Sequence, residues 1–155
     1  MRPNMQPSTP AVSEHRFHQR LQDYWNALRG ARAYPQESEI DPDLLEDIWP
    51  SCFLISNDEV THRVGYRYSY LGSDLIEAYG DDASAPDVAL RLLSTRDAPL
   101  RLQLDDVLQS KIPVIDESEF VNLKHLTIRY RTCMLPLGTG EEATHIIGCM
   151  RWKAC

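Results

Sequence analysis

Alternating apolar and polar residues near the C-terminus predict two long β-strands. The first alternates between two sets of side chains, with Ile128, Tyr130, Thr132 and Met134 on one face and Thr127, Arg129, Arg131 and Cys133 on the other. The second does the same, with Ile146, Gly148, Met150 and Trp152 opposed to Ile147, Cys149, Arg151 and Lys153. A period of two is typical of half-buried strands, and the glycine-containing segment 137–142 between them predicts a hairpin.

The expected hairpin has residues 137 and 143 at the two sides of its turn. This register pairs Arg129 with Arg151 and Arg131 with Cys149. One face of the hairpin is then mainly apolar and is expected to line the core or a pocket. The other face carries three arginines and two cysteines, and neighbouring arginines on adjacent strands require counter-charges.

The N-terminal region predicts a strongly amphipathic helix from Ser13 to Leu28. Its apolar positions recur at helical spacing, and they are Phe17, Leu21, Tyr24, Trp25 and Leu28. Ser13 is a suitable N-cap, and Gly30 suits the C-terminal end. The apolar stripe must pack against the chain's own sheet or against a partner. Residues 1–12 contain three prolines among polar residues and are expected to form a disordered tail.

The middle of the chain predicts a second helix, followed by strands and short helices. Asp41 is a good N-cap and Pro42 fits the first helical position, so a helix is expected to run to about Ile48. Strands are expected at 52–55 and 64–71, and in the second of these three tyrosines share one face, namely Tyr66, Tyr68 and Tyr70. Further helices are expected at 73–79, 86–93 and 97–109, and a third strand at 111–119.

This order of elements predicts an α+β fold with a five-stranded antiparallel sheet. Helices inserted after the second strand are expected to lie on one face of the sheet, with the N-terminal amphipathic helix as an extension. With 155 residues the chain is long enough for one domain with a sizeable core. We place that domain at 13–155, and it includes the N-terminal helices at 13–49.

Composition and charge argue against several classes of protein. The formal net charge of −7 disfavours general attraction to nucleic acid or to an anionic membrane, because such binding needs a basic surface. No apolar run approaches the roughly 20 residues that span a bilayer, and the N-terminus lacks an apolar signal core. The four cysteines contain no Cys-x-x-Cys pair and are expected to be reduced thiols. We therefore expect a cytoplasmic protein.

Several blocks of this sequence resemble the PAS domain. The segment Tyr68–Gly80 is similar to the PAS strand-to-helix segment that ends in glycine, and Met134–Leu137 followed by Ile146–Gly148 is similar to the closing PAS hairpin. Further blocks resemble the short bacterial single-domain PAS proteins of PAS family 5, and these are Asp23–Pro35, Ile40–Pro42 and Tyr66–Gly72. The resemblance covers about residues 21–153. It implies a PAS-like fold and a sensory or regulatory role, and it supplies no catalytic residues.

PAS domains sometimes hold haem, flavin or another chromophore, but this chain lacks the residues expected for them. Haem would need a histidine, and flavin photochemistry would need a cysteine, in the helical region 73–109, which contains neither. His15 and His18 have a spacing that could chelate a metal on a helix, but apart from Glu14 no further ligand lies at a compatible spacing. We therefore expect neither haem nor flavin, and no metal.

The candidate site residues form three groups. A pocket wall on the apolar sheet face would consist of Tyr66, Tyr68, Tyr130, Met134, Met150 and Trp152. A protein interface would consist of Phe17, Leu21, Tyr24 and Trp25. A charge-pair or anion cluster would consist of Arg129, Arg131 and Arg151. Packing inside the chain is the alternative for both aromatic groups, and a redox role for Cys133 and Cys149 stays open.

Three alternative sources are considered for the counter-anions of the arginine cluster. These are carboxylates of the N-terminal helix, carboxylates of a second copy of the chain, or an anionic small molecule.

Three classes of function remain after these observations. The first is a non-enzymatic sensory module that binds an unknown small molecule or a partner protein and signals in trans, since 155 residues leave no room for an attached output domain. The second is an interaction adaptor or homodimer without a ligand. The third is a small enzyme with a polar cleft, but no enzyme is expected, because no nucleophile, base and orienting group can be assembled from these spacings.

Overall fold

Five antiparallel strands form one sheet in the computed structural model, which describes residues 10–57, 66–81 and 101–155. The strands are β1 (Cys52–Asn57), β2 (Tyr66–Leu71), β3 (Val114–Val121), β4 (Thr127–Thr139) and β5 (Glu142–Ala154). They lie in the order β2-β1-β5-β4-β3, so the predicted hairpin occupies the middle and one flank of the sheet. The helix expected at 86–93 and the beginning of the one expected at 97–109 lie outside the described residues.

Within the described ranges, three α-helices pack around this sheet. They are α1 (Pro10–Arg29), α2 (Ser73–Tyr79) and α3 (Arg101–Ser110). Helix α1 begins three residues earlier than predicted from Ser13, and Gly30 follows its end with a positive φ of 58°. Glycine adopts this left-handed conformation without the steric cost that a Cβ would bring.

The helix predicted from Asp41 to about Ile48 is a succession of short 3₁₀ turns instead. Turns lie at Glu37–Glu39, Pro42–Leu45 and Trp49–Ser51. The predicted cap is present, since the Asp41 carboxylate accepts a hydrogen bond from the Asp43 amide at 3.0 Å. The segment is short and bounded by prolines, so it cannot offset the cost of starting an α-helix and forms tighter i→i+3 bonds.

The hairpin register differs from the prediction by two residues. Arg131 pairs with Arg151, and Cys133 pairs with Cys149. The two strands extend to Thr139 and Glu142, which leaves a turn much tighter than expected. A shift by an even number preserves the face of every side chain, because alternate residues of a strand point to the same side. The predicted composition of the two faces is therefore retained.

The three tyrosines of β2 do not share a face, contrary to the prediction. Tyr70 pairs with Leu54, whereas Tyr68 pairs with Ile55, so Ser69 is an extra residue at a bulge. A bulge turns the following side chain to the opposite side of the sheet. The Tyr70 ring accordingly stacks on Trp49, with ring centroids 4.3 Å apart.

The sheet separates two hydrophobic clusters, and we name its faces after them. The inner face packs against α2 and α3, and its buried strand residues include Phe53, Ile55, Tyr68, Ile128, Tyr130, Met134, Ile146 and Met150. The outer face packs against α1 and the 3₁₀ segment, and its buried strand residues are Cys52, Leu54, Cys133, Leu135, Leu137, Ile147 and Cys149. The predicted α+β fold with a five-stranded antiparallel sheet is confirmed.

Gly148 on β5 is paired with Phe53 on β1 and lies against its ring. A Cβ added there would lie 2.4 Å from Cζ of Phe53 and 2.7 Å from the carbonyl oxygen of Cys133. Gly148→Ala is therefore expected to lower the free energy of unfolding by about 2–3 kcal/mol through overpacking, as measured by urea denaturation. Gly140→Ala is the matched control, because that site is open and only its φ of 62° opposes a side chain. Equal stabilities of the two variants would contradict this account.

Candidate functional site

The six residues predicted to line a pocket lie together on the inner face. Met134 and Met150 are completely buried, and Tyr68 and Tyr130 are nearly so. Tyr66 and Trp152 are partly buried and pack against the same cluster. Their shared face follows from strand alternation, which brings β2, β4 and β5 side chains to one side of the sheet.

The inner face also contains aromatic residues that the strand pattern did not reveal. Tyr79, at the end of α2, lies with its ring centroid 5.3 Å from that of Phe120 on β3, and Phe120 lies 5.8 Å from Tyr130. Only the helical spacing of Tyr79 from Leu75 and Ile76 could have indicated that it faces the sheet. The inner face is therefore bordered by an arc of aromatic rings.

Two phenol groups meet inside this arc. The hydroxyl oxygens of Tyr68 and Tyr79 are 3.5 Å apart, at the outer limit of a hydrogen bond. Burial raises the pKa of Tyr79 to about 12 and raises the pKa of Tyr68 well above 10. Both phenols are therefore neutral at physiological pH, so they can donate or accept a hydrogen bond but cannot act as bases.

The indole of Trp152 connects β5 to α2. Its Nε1 donates a hydrogen bond to the carbonyl oxygen of Asp74 at 2.9 Å. The Asp74 carboxylate in turn accepts a hydrogen bond at 2.8 Å from the hydroxyl of Ser51, the last residue of the 3₁₀ turn that precedes β1. The beginning of α2 is therefore hydrogen-bonded to β5 and to the 3₁₀ turn before β1, so a displacement of α2 would act on both.

The four residues considered for a protein interface pack against the chain's own sheet. Leu21 is fully buried and Trp25 is nearly so, and the Trp25 indole donates to the Pro136 carbonyl oxygen at 2.8 Å. The Tyr24 hydroxyl accepts a hydrogen bond from the Asp41 amide at 2.9 Å, and Phe17 packs at the edge of the same cluster. A partner could reach Leu21 and Trp25 only if α1 left the sheet.

Three cysteines form one row beneath α1. Cys149 pairs with Cys52 on one side and with Cys133 on the other, and all three are fully buried. Burial raises the pKa of Cys52 to about 12 and that of Cys133 to about 11, and it raises the pKa of Cys149 well above 9. Since the thiolate is the reactive form, these groups have little reactivity while α1 covers them.

The arginine cluster lies on the outer face, in the two rows of side chains next to this cysteine row. Two rows of side chains cross β3, β4 and β5: Glu117, Arg131 and Arg151 form one, and Glu119, Arg129 and Lys153 form the other. Together they line a groove of about 380 Å³, which we call the charged groove.

The counter-charges in the charged groove come from an unexpected source. Glu117 lies 3.9 Å from the Arg131 guanidinium, and Glu119 lies 4.0 Å from that of Arg129. These carboxylates belong to the neighbouring strand β3, whereas the sequence pointed to α1, a second copy or a ligand. Helix α1 contributes an aromatic ring, since Phe17 lies 4.3 Å from Cζ of Arg151 in a cation–π contact.

No group of three or more histidine, cysteine or carboxylate side chains is placed to hold a metal in the part of the chain that the structure describes. Likewise, none of the helices within the described ranges combines the length and the apolar character needed to cross a bilayer.

Comparison with known proteins identifies the fold. A family model described as PAS domain matches residues 13–151. A light-oxygen-voltage domain structure, described by the words "Flavin Analogue Sheds Light on Light-Oxygen-Voltage Domain Mechanism", is 12% identical with a TM-score of 0.50, over 72% of this chain and 82% of that one. No curated protein matches the chain.

Two further solved structures are similar to this chain at lower TM-scores. The PAS domain of the fruit-fly ELK potassium channel is 12% identical, with a TM-score of 0.45, over 73% of this chain and 97% of that one. The LOV domain of the EL346 blue-light activated histidine kinase of Erythrobacter litoralis is 13% identical, with a TM-score of 0.47, over 68% and 96%.

The cysteine row generates a prediction about thiol reactivity. Ellman's reagent at pH 8 is expected to titrate one thiol of the native chain, that of exposed Cys155, and all four after unfolding. The reason is that a thiol with a pKa of about 11, such as that of Cys133, is about 0.1% thiolate at pH 8. The Cys155→Ser variant is the control, and rapid labelling of that native variant would contradict the prediction by showing that α1 opens readily.

Proposed function

Because the chain belongs to the PAS domain family, a family of sensory domains, we propose that it is a non-enzymatic sensory module that binds a small molecule at the inner face of its sheet. The observation that carries this proposal is the pair of buried phenols, Tyr68 and Tyr79, on a largely apolar face of the sheet. Small-molecule sites are mostly apolar, with a few polar groups that fix the orientation of the ligand. The inner face combines both properties.

The phenol pair supports the proposal because its hydrogen bonding is weak as it stands. At 3.5 Å the contact between the two hydroxyls is long for an O–H···O bond, which is normally about 2.7–2.8 Å. Buried hydroxyls normally have well-formed partners. A ligand with one polar atom within hydrogen-bond distance of both oxygens would satisfy both phenols, and its apolar part would contact Met134 and Met150.

Binding at the inner face would be signalled to the outer face through the backbone of the sheet. Neighbouring residues of β4 point alternately to the two faces, so Met134 contacts the inner cluster while Cys133 and Leu135 contact the outer cluster under α1. A displacement of Met134 moves the same backbone that supports α1. Partner recognition in trans through α1 or the 3₁₀ segment is the output that this arrangement favours.

The proposal also includes expectations about flavin, nucleic acid and oligomeric state. We expect no flavin photoadduct, because residues 73–109 contain no cysteine to form one, and likeness to a light-oxygen-voltage domain at 12% identity concerns the fold alone. Nucleic acid is not proposed as a partner, because the net charge is −7. The ligand-free adaptor and the homodimer are the alternatives that the experiment below distinguishes.

Native mass spectrometry of freshly purified protein tests the proposal. We expect extra mass on the folded chain that disappears after unfolding and refolding in clean buffer. The mass also identifies the ligand, flavin included. A chain that carries no extra mass in fresh preparations and forms a stable dimer would overturn the small-molecule proposal in favour of the adaptor.

Tyrosine variants localise the bound molecule. Tyr68→Phe and Tyr79→Phe are each expected to weaken its binding about tenfold, since each removes one hydrogen bond in a buried site. Tyr70→Phe is the matched control, because its hydroxyl donates to the Trp49 carbonyl oxygen on the opposite face. Equal retention by all three variants would place the ligand elsewhere.

A further inference from the structure

The charged groove on the outer face has an excess of positive charge. Among the described residues that line it, four are cations, Arg129, Arg131, Arg151 and Lys153, and two are carboxylates, Glu117 and Glu119. This excess occurs in a chain whose net charge is −7, so it is a local feature and does not follow from a generally basic surface. Arg131 and Arg151 are directly paired across β4 and β5, an arrangement in which like charges destabilise a sheet.

The two carboxylates of the groove do not satisfy this pair of arginines. The Glu117 side chain is 71% exposed, and its 3.9 Å contact with Arg131 exceeds the length of a hydrogen bond. Among the described side chains, no carboxylate forms an ion pair with Arg151. An exposed ion pair of this kind contributes little attraction because solvent screens it.

Two guanidinium donors of the groove are buried and have no acceptor among the described residues. They are Nε of Arg131 and Nε of Arg151. Buried donors in proteins almost always have an acceptor, so two such donors on paired residues indicate that an acceptor binds there. The Phe17 ring, 4.3 Å from Cζ of Arg151, holds one of the two guanidinium groups in place from the side of α1.

We propose that the charged groove binds a small tetrahedral dianion, a phosphate group, between the guanidinium groups of Arg131 and Arg151. Guanidinium presents a planar fork of donors that matches oxyanions bidentately, and two adjacent forks provide the two positive charges that a phosphate dianion requires. The groove volume of about 380 Å³ accommodates free phosphate or a small phosphomonoester. This site is separated by the sheet from the inner face and does not depend on the function proposed there.

Thermal denaturation of the full chain tests the site. At about ten times its dissociation constant, inorganic phosphate is expected to raise Tm by about 3–6 °C relative to sodium chloride of equal ionic strength. Glycerol 3-phosphate is measured in parallel. Greater stabilisation by the ester than by phosphate would assign the site to a phosphomonoester, and the reverse would assign it to the free ion. Identical melting in all three salts overturns the proposal.

Substitutions distinguish the groove from general charge effects. Arg131→Gln and Arg151→Gln are each expected to weaken phosphate binding at least tenfold. Arg67→Gln is the matched control, because Arg67 is an exposed arginine on β2, at the opposite edge of the sheet. An equal loss in the Arg67→Gln variant would overturn the site, since it would show that only net charge matters.

A measurement on the unsubstituted protein avoids any question of variant folding. Phosphate titration followed by amide NMR is expected to shift resonances of residues 129–131 and 151–153. Resonances of Tyr68 and Tyr79, on the inner face, should not move. Shifts centred on the inner face, or no shifts at all, overturn the assignment of the groove while leaving the function proposed for the inner face to its own test.

Discussion

The long antiparallel pairing of β4 with β5 is the interaction on which the rest of this structure depends. These strands are 13 residues each, and their central residues are buried on both sides of the sheet. Because both faces are covered, every residue of the pair must suit one of two different environments. The register of this pair therefore determines which side chains meet within each layer.

The two layers of the molecule differ in chemistry. The inner layer combines flexible methionines with phenols that burial keeps neutral, a composition suited to holding an uncharged organic group. The outer layer is filled by thiols, aliphatic residues and the indole of Trp25, and it ends in the charged groove. A sheet that is one residue thick joins them, so a change on one side has a short mechanical path to the other.

Helix α1 has two functions in this arrangement. Its central residues, Leu21 and Trp25, close the outer core and keep the cysteine row away from water. Its earlier residue Phe17 reaches the Arg151 guanidinium at the border of the charged groove. The same helix therefore packs on the outer face and positions the Arg151 guanidinium. Anion binding in the charged groove is in this way coupled to the packing of α1 on the sheet.

The sequence alone determined the fold class and the assignment of hairpin side chains to two faces, because hydrophobic periodicity depends only on the alternation of residues along each strand. It also indicated the family, through the resemblance of several local blocks to the PAS domain. It also located the cap at Asp41. The tertiary structure decided the register of the hairpin, since a tighter turn placed Arg131 opposite Arg151. It also decided the bulge at Ser69, which puts Tyr70 and Tyr68 on opposite faces of the sheet. The cysteine row and the phenol pair were likewise decided there, because they join residues far apart in sequence, and such contacts depend on how strands and helices pack rather than on local pattern.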